Sequence, residues 1–309
     1  MNYTKTEFSV PSESGLAAIH AAKYIPNTEV KAVFQIAHGM AEHFERYEKF
    51  IDALCAEGIA VYTNDHLGHG KSVSAPSEKG SFGPDGYKTL VRDMAKLTDI
   101  AKEDYPSLPF ILFGHSMGSF LVRNYAADSQ FNKKIDALIA CGTAGANPGA
   151  GVGIALCNCI QAFKGDHHRS KMIDGIAFGA YNKKFEGRTA FDWLTKDNDI
   201  VDAYVADEDC GFLFTVNGFK GLFGSLKAAN TKKWYSDVPN SLPILLIAGE
   251  NDPVGNYGKG VKEVYDKLKN TGHDVDIKLY PNARHEILNE SDTFDKVVQD
   301  VLDFVKKAM

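Results

Sequence analysis

The chemistry in this chain starts from a serine between two glycines. The stretch FILFGHSMGSF, residues 110–120, leads four apolar residues into Gly114, Ser116 and Gly118. Alone, G-x-S-x-G is also the composition of an ordinary tight turn. At the end of a buried strand, however, a sharp turn into a helix lifts a serine hydroxyl clear of the sheet. Such a turn needs glycine on both sides, where neighbouring elements press close. A serine hydroxyl is a weak nucleophile, so the chain must also supply a base, an acid and donors for a developing oxyanion. His285 in RHEILNE fits the base, because imidazole exchanges protons near neutral pH. Asp252 in GENDPVG fits the acid that fixes the imidazole tautomer. It lies further into its loop than Glu250 and can turn toward His285. The backbone N–H groups of Met117, just after the serine, and of Met40, after His38-Gly39, fit the oxyanion donors. Glu286, beside His285, reads as a solvated or structural carboxylate.

These groups need one scaffold. Short apolar runs alternate with helical periodicity along the chain. KAVFQIAHG, IAVYTNDHLGHG, PFILFG, IDALIACG, PILLIAGEND and DVDIKLY read as strands. HFERYEKFIDALCAEG and GYKTLVRDMAKLTDIAKEDY read as amphipathic helices between them. The last helix, SDTFDKVVQDVLDFVKKAM, puts Phe294, Val297, Val298, Val301, Leu302 and Val305 on one face, with Ser291 as its N-cap. Strands buried on both faces and separated by helices predict a mostly parallel, eight-stranded sheet covered on both sides, an α/β fold. The opening segment TEFSVPSESGLAAIHAAKYIP predicts an antiparallel hairpin at the sheet edge. Ser116, Asp252, His285 and Met40 then all lie in loops at strand C-terminal ends, where open parallel sheets collect their functional groups.

The alternation breaks once. About a hundred residues separate IDALIACG from PILLIAGEND, far more than one crossover helix requires. Residues 145–235 are read as an inserted helical cap between a first core part, 1–144, and a second, 236–309. From Ala137 to Phe163 there is no charged residue. Five glycines and a proline argue against a membrane-spanning helix there and for a buried strand, a Gly-rich loop and a short apolar helix. Ile154, Leu156 and Phe163 are the candidates for the apolar wall of a substrate pocket.

Composition closes off other classes. The 309 residues carry a formal charge of −6, so no basic field exists to hold nucleic acid. The N-terminal MNYTKTEFSV lacks the charged and apolar blocks of a signal peptide. Five cysteines without framework spacing fit a reducing, cytoplasmic compartment. No metal or organic cofactor is expected: CNC at 157–159 has no partner pair at finger spacing, and the His167-His168 stretch reads as a solvated loop. DHLGHGKS imitates a phosphate-binding loop but has Asp65 where that loop needs glycine and opens into more loop, not a helix. GAGVG at 149–153 lacks the spacing of a dinucleotide fingerprint.

Taken together, AHGMAEHFERY, NDHLGHGKS, GHSMGS, GENDPVG and RHEILNE resemble the monoacylglycerol lipase and bacterial lysophospholipase branch of the α/β-hydrolases. The order Ser, Asp, His along the chain is the order of that superfamily. The resemblance covers the core, about two thirds of the chain. It implies Ser116, Asp252 and His285 as a catalytic triad and Met40 and Met117 as oxyanion donors. It also implies that Glu42, His43, Arg46, Asp65 and His66, with His38, Gly39, Gly114 and Gly118, brace the site. One departure is Ala41, where animal monoacylglycerol lipases carry glycine. The expected substrate is a small-molecule ester or single-chain lipid, with at most transient membrane-surface contact through the cap. A proline-releasing serine peptidase of the same fold and a non-catalytic binding protein are the alternatives. Asp207, Glu208 and Asp209 are the only acidic cap cluster that keeps the peptidase open.

Overall fold

A computed structural model describes residues 2–308; Met1 and Met309, the latter at the end of the expected last helix, lie outside them. The strands are β1 (Tyr3–Pro11), β2 (Ala18–Pro26), β3 (Ala32–Ala37), β4 (Ile59–Asn64), β5 (Phe110–His115), β6 (Ala137–Cys141), β7 (Ile244–Gly249) and β8 (Val275–Tyr280). They form one sheet in the order β1-β2-β4-β3-β5-β6-β7-β8. β1 and β2 make the expected antiparallel hairpin at the edge, and β2 meets β4 antiparallel. Every other pairing is parallel. β3 to β7 are buried at every residue, which is why their sequences read as continuous apolar runs rather than alternation.

Helices α1 (Glu48–Ala56), α2 (Tyr87–Asp104) and α3 (Met117–Ala126) follow β3, β4 and β5. Between β6 and β7 come α4 (Gly149–Lys164), α5 (Lys171–Phe178), α6 (Asn198–Ala206), α7 (Val216–Ala228) and α8 (Lys232–Asp237). α9 (Lys259–Asn270) joins β7 to β8, and α10 (Phe294–Ala308) closes the chain. The sheet divides two cores. Ile111 and Phe113 of β5 face a cluster built with Phe50, Ile51 and Leu54 of α1 and Val297 and Val301 of α10. Phe110 and Leu112 face the other side, with Leu90 and Met94 of α2, Leu121 of α3 and Val264 of α9. The alternation along one strand is the pleat at work: neighbouring side chains point to opposite faces.

Three local expectations change. The helix after β3 opens with a separate 3₁₀ turn at Phe44–Tyr47. α10 starts at Phe294, so Ser291 lies in the preceding turn rather than at the cap. The Gly-rich stretch after β6 is loop only as far as Pro148: Gly149, Gly151 and Gly153 are inside α4, which runs 16 residues. Packing explains that outcome. A Cβ on Gly153 would lie 2.7 Å from the Phe223 ring of α7, so glycine here lets two helices approach closely. Tertiary contact outweighs the low helix propensity of glycine.

Where the segment between β6 and β7 meets the sheet, Arg123 of α3 is wholly buried, with no carboxylate partner among the described residues. Its guanidinium donates to Thr143 Oγ1 (3.1 Å) and Ala144 O (3.0 Å) before the insertion. It also donates to Ala229 O (2.5 Å) and Asn230 Oδ1 (3.1 Å) after α7. One side chain thus pins both necks to the helix that follows Ser116.

Candidate active site

Ser116 occupies the turn between β5 and α3 with φ 54° and ψ −119°, a backbone region that an L-residue enters only under tertiary constraint. The constraint is visible on either side. A Cβ on Gly114 would meet Gly118 O at 2.3 Å, and one on Gly118 would meet Ala37 O at 2.1 Å. The Ser116 N–H donates to Cys141 O at 2.9 Å, which ties the turn to β6. The hydroxyl-bearing residue is half-buried while its neighbours are buried.

Asp252 and His285 reach the same place from the ends of β7 and β8. Asp252 is fully buried, and its Oδ2 lies 3.0 Å from His285 Nδ1. The contact is off the axis of the ring N–H, and neither atom has another partner. Asp252 Oδ1 accepts the Val254 N–H at 2.8 Å, which fixes the carboxylate plane. Glu250 is exposed, so of the two loop carboxylates only Asp252 faces the imidazole. His285 is 1% exposed and is walled by Gly142, by the His115 ring (4.7 Å between centroids) and by Trp193 of the inserted segment (5.1 Å). Tyr181 packs on Trp193 and Phe178 on Tyr181, so an aromatic row leads from the imidazole into the segment between β6 and β7.

The loop after β3 lies against the serine: a Cβ on Gly39 would sit 3.1 Å from Ser116 Cβ. Glu42 shapes this loop by accepting the Gly39 N–H on Oε1 at 2.5 Å. Among the described residues, no loop or cap hydrogen bond is made by the Met40 or Met117 N–H group. Ala41 holds φ 52°, which explains why glycine suits this position; its carbonyl accepts from Tyr204 Oη and Gly211 N, both at 2.9 Å.

Beneath the loop lies a buried charge cluster. Arg46 donates to Glu42 Oε2 and, with both terminal nitrogens, to Glu286 at 2.7 and 2.8 Å. Tyr47 Oη donates to Glu42 Oε1 at 2.8 Å and lies 2.9 Å from His115 Nδ1. His115 Nε2 faces the carbonyl of His285 at 3.4 Å. The cluster therefore joins the loop after β3, the residue before the serine and the loop that carries His285. Burial raises the Glu42 carboxyl, but the Arg46 guanidinium and the His115 contact outweigh it and hold it well below the usual carboxylate range. Burial likewise opposes Glu286, and Arg46 again wins and lowers it. His115 goes the other way: burial disfavours its charge, and the Glu42 carboxylate more than restores it. The solvated alternative for Glu286 is corrected, since it is 3% exposed and paired.

Of the other bracing positions, His38 and Asp65 hold backbone, whereas both ring nitrogens of buried His66 meet no partner among the described residues. His38 Nδ1 donates to Gly39 O (2.8 Å), and its Nε2 accepts the His66 N–H (2.9 Å). Asp65 accepts the N–H groups of Phe44 (3.2 Å) and Lys71 (2.9 Å), so the DHLGHGKS loop closes on its own aspartate rather than on a phosphate. His43 Nε2 meets Asp207 of the inserted segment at 2.9 Å. Asp209 is likewise engaged, by Lys79 at 2.6 Å. Of the three pocket candidates, Ile154 and Leu156 are half-buried, and Leu156 packs on the core. Phe163 is 86% exposed, a correction: it lies on the outer face of α4 and walls no interior space. Trp193 and Glu286 are the site residues that motif reasoning did not assign. Only their adjacency to a helical cap pattern and to His285 marked them.

A family model described as serine aminopeptidase, S33, matches residues 28–292. A monoacylglycerol lipase of Mycolicibacterium smegmatis is 28% identical, over 96% of this chain and 95% of its own. The human monoglyceride lipase is 26% identical, over 86% and 78%. Among solved structures, a highly thermostable carboxyl esterase from Bacillus coagulans, in complex with glycerol, matches with a TM-score of 0.93 at 33% identity, over 99% of both chains. A nucleophile elbow, a buried Asp–His pair and these relatives agree: the chain belongs to the serine aminopeptidase S33 family of α/β-hydrolases and is a serine hydrolase.

Proposed function

We propose that the chain hydrolyses carboxylic esters through an acyl-enzyme on Ser116, with single-chain lipid esters (monoacylglycerol or lysophospholipid) or smaller acyl esters as substrates. The observation that carries this reading is the convergence of the strained Ser116 turn with the buried Asp252–His285 pair. Ser116 Oγ attacks the acyl carbon as His285 takes its proton, and Asp252 steadies the imidazolium. The carbonyl oxygen, now anionic, is held by the Met40 and Met117 N–H groups. The intermediate collapses, His285 returns the proton to the leaving alcohol, and the acyl group stays on Ser116. Water, deprotonated by His285, then releases the acid. None of these steps calls for a metal or organic cofactor.

We assign residues 145–235 to a cap that roofs the site and sets substrate choice, on a core of 1–144 and 236–309. The aromatic row Phe178–Tyr181–Trp193, ending at His285, supports an apolar binding wall. Exposed Val152, Phe163, Met172 and Ile176 on α4 and α5 support transient contact with a lipid surface. No described helix is long and apolar enough to cross a membrane. Five free cysteines support a reducing, cytoplasmic setting.

The family description names an aminopeptidase, which keeps a peptidase as the second reading. Against it, Asp207 and Asp209 are already engaged by His43 and Lys79 and leave only exposed Glu208 for a substrate amine. A p-nitrophenyl ester chain-length series, run beside monoacylglycerol, lysophosphatidylcholine and prolyl-naphthylamide, tests the proposal. Ester turnover without amide turnover is expected. Amide turnover alone would favour the peptidase, and no turnover on any of them would favour a binding protein.

A further inference from the structure

We propose that His43, Asp207 and Cys210 form a site for a thiophilic divalent cation of the zinc class, one that ties the loop after β3 to the cap. The inference is independent of which bond the enzyme cleaves. One ligand atom from each residue lies within 4.8 Å of the other two. His43 Nε2 and Asp207 Oδ2 are 2.9 Å apart. The residues come from two segments that backbone bonds already hold in register. Gly211 N donates to Ala41 O at 2.9 Å, and the Tyr204 hydroxyl donates to the same carbonyl at 2.9 Å. Asp207 and Cys210 share one turn, closed by Cys210 N donating to Asp207 O at 3.1 Å. The ligands are therefore gathered before any ion arrives, which lowers the ordering cost of binding.

The donor set selects the ion. Magnesium and calcium take oxygen ligands, whereas one imidazole nitrogen, one thiolate and one carboxylate suit zinc. Three protein ligands leave a fourth tetrahedral position to water, and Asp207 and His43 are both partly exposed. Glu45 Oε2 faces the other ring nitrogen of His43 at 3.9 Å, the place of the outer carboxylate that orients a ligating histidine. Charge is balanced. The thiolate and the carboxylate offset the dication, and the nearby Arg46 is already outnumbered by Glu42 and Glu286. On binding, the Cys210 S–H bond breaks, the sulfur pair goes to the ion and one proton leaves to solvent.

The test uses the full chain after chelator treatment. Adding Co2+ to the unaltered protein should develop a near-ultraviolet thiolate-to-cobalt band that saturates at one ion per chain and is erased by Zn2+. Calorimetry should show one Zn2+ bound. Cys210→Ser and His43→Ala should each weaken it at least about tenfold, and Glu45→Gln by about tenfold. Zinc should slow amide exchange in residues 41–46 and 207–211 together. Absence of the thiolate band in the unaltered chain would overturn the proposal, whether or not the variants fold. Zinc affinity unchanged in both ligand variants would also overturn it, by placing the ion elsewhere.

Discussion

Ser116 carries the strain of its turn, and the chemistry rests on side chains whose partners come from distant parts of the sequence. Replacing Asp252 with Asn keeps the shape but presents an amide that favours the wrong imidazole tautomer. Turnover should fall by about four orders of magnitude, with the fold retained. Glu250→Gln should change kcat little, because Glu250 is exposed. Steady-state kinetics on a soluble ester checks both, and reversed results would move the acid to Glu250. Glu286 acts one step back. Its bidentate pair with Arg46 anchors the histidine loop to the oxyanion loop. Glu286→Gln leaves the guanidinium and Glu42 imperfectly matched in a buried place. It should cost about 3 kcal/mol of stability by denaturant unfolding and lower kcat more than it changes KM. The proposed triad, Ser116, Asp252 and His285, could be picked out because each residue sits in a short local motif at a strand end. Glu286 was not legible as a partner of Arg46, because 240 positions separate the two. Trp193 was not legible as a wall of His285, because nothing local in FDWLTKD distinguishes a ring that packs on the core from one that packs within the cap.

At the scale of elements, the sequence patterns worked where one physical cause dominated. Continuous burial made β3 to β7 readable, and a single apolar face made α10 readable. α4 defeated the same approach. It is apolar around most of its circumference, so periodicity could not say that Leu156 turns inward and Phe163 outward. Its glycines looked like loop because their value lies in contact with α7, which the local sequence does not contain. Two glycines give opposite predictions. Gly118→Ala would push a methyl onto Ala37 O and should cost about 3 kcal/mol or more, or abolish folding. Gly151 sits in α4 with nothing within 4 Å, so Gly151→Ala should raise stability by about 0.5–1 kcal/mol. Thermal melts of the pair check the account of both helices. On the proposed acyl wall, Leu156→Asp should depress decanoyl ester cleavage more than acetyl ester cleavage. Phe163→Asp should spare the folded core, because its ring is already in solvent.

The whole molecule stacks three buried imidazoles at the loops after β3 and β4, and this sets its response to acid. His38, His66 and His69 are fully buried with ring centroids 4.2–6.3 Å apart. Burial pushes His66 down to about 3 and His69 to about 4, and burial with the neighbouring rings holds His38 well below the ordinary value. Below about pH 6.5 the unfolded chain binds protons on all three that the folded chain refuses, so stability falls as pH drops toward 4. Asp93, pushed up to about 6 by burial, takes a proton in the folded state over the same range and offsets one of them. His115 and His20 are raised, so the folded chain binds their protons ahead of the unfolded chain and they do not add to this decline. Denaturant unfolding at pH 7, 6 and 5 should show the decline, and His66→Phe should flatten it by about 1.4 kcal/mol per pH unit. The same architecture brings the ends of β3, β5, β7 and β8 together beside Trp193 of the segment between β6 and β7, and the central claim is that Ser116 is the nucleophile there. Intact-mass and peptide mapping after reaction with a fluorophosphonate tests it most directly. One adduct per chain, on the peptide containing Ser116, should appear in step with loss of ester hydrolysis and be absent from Ser116→Ala and His285→Ala. An adduct on another residue, or full activity with Ser116 labelled, would contradict the account.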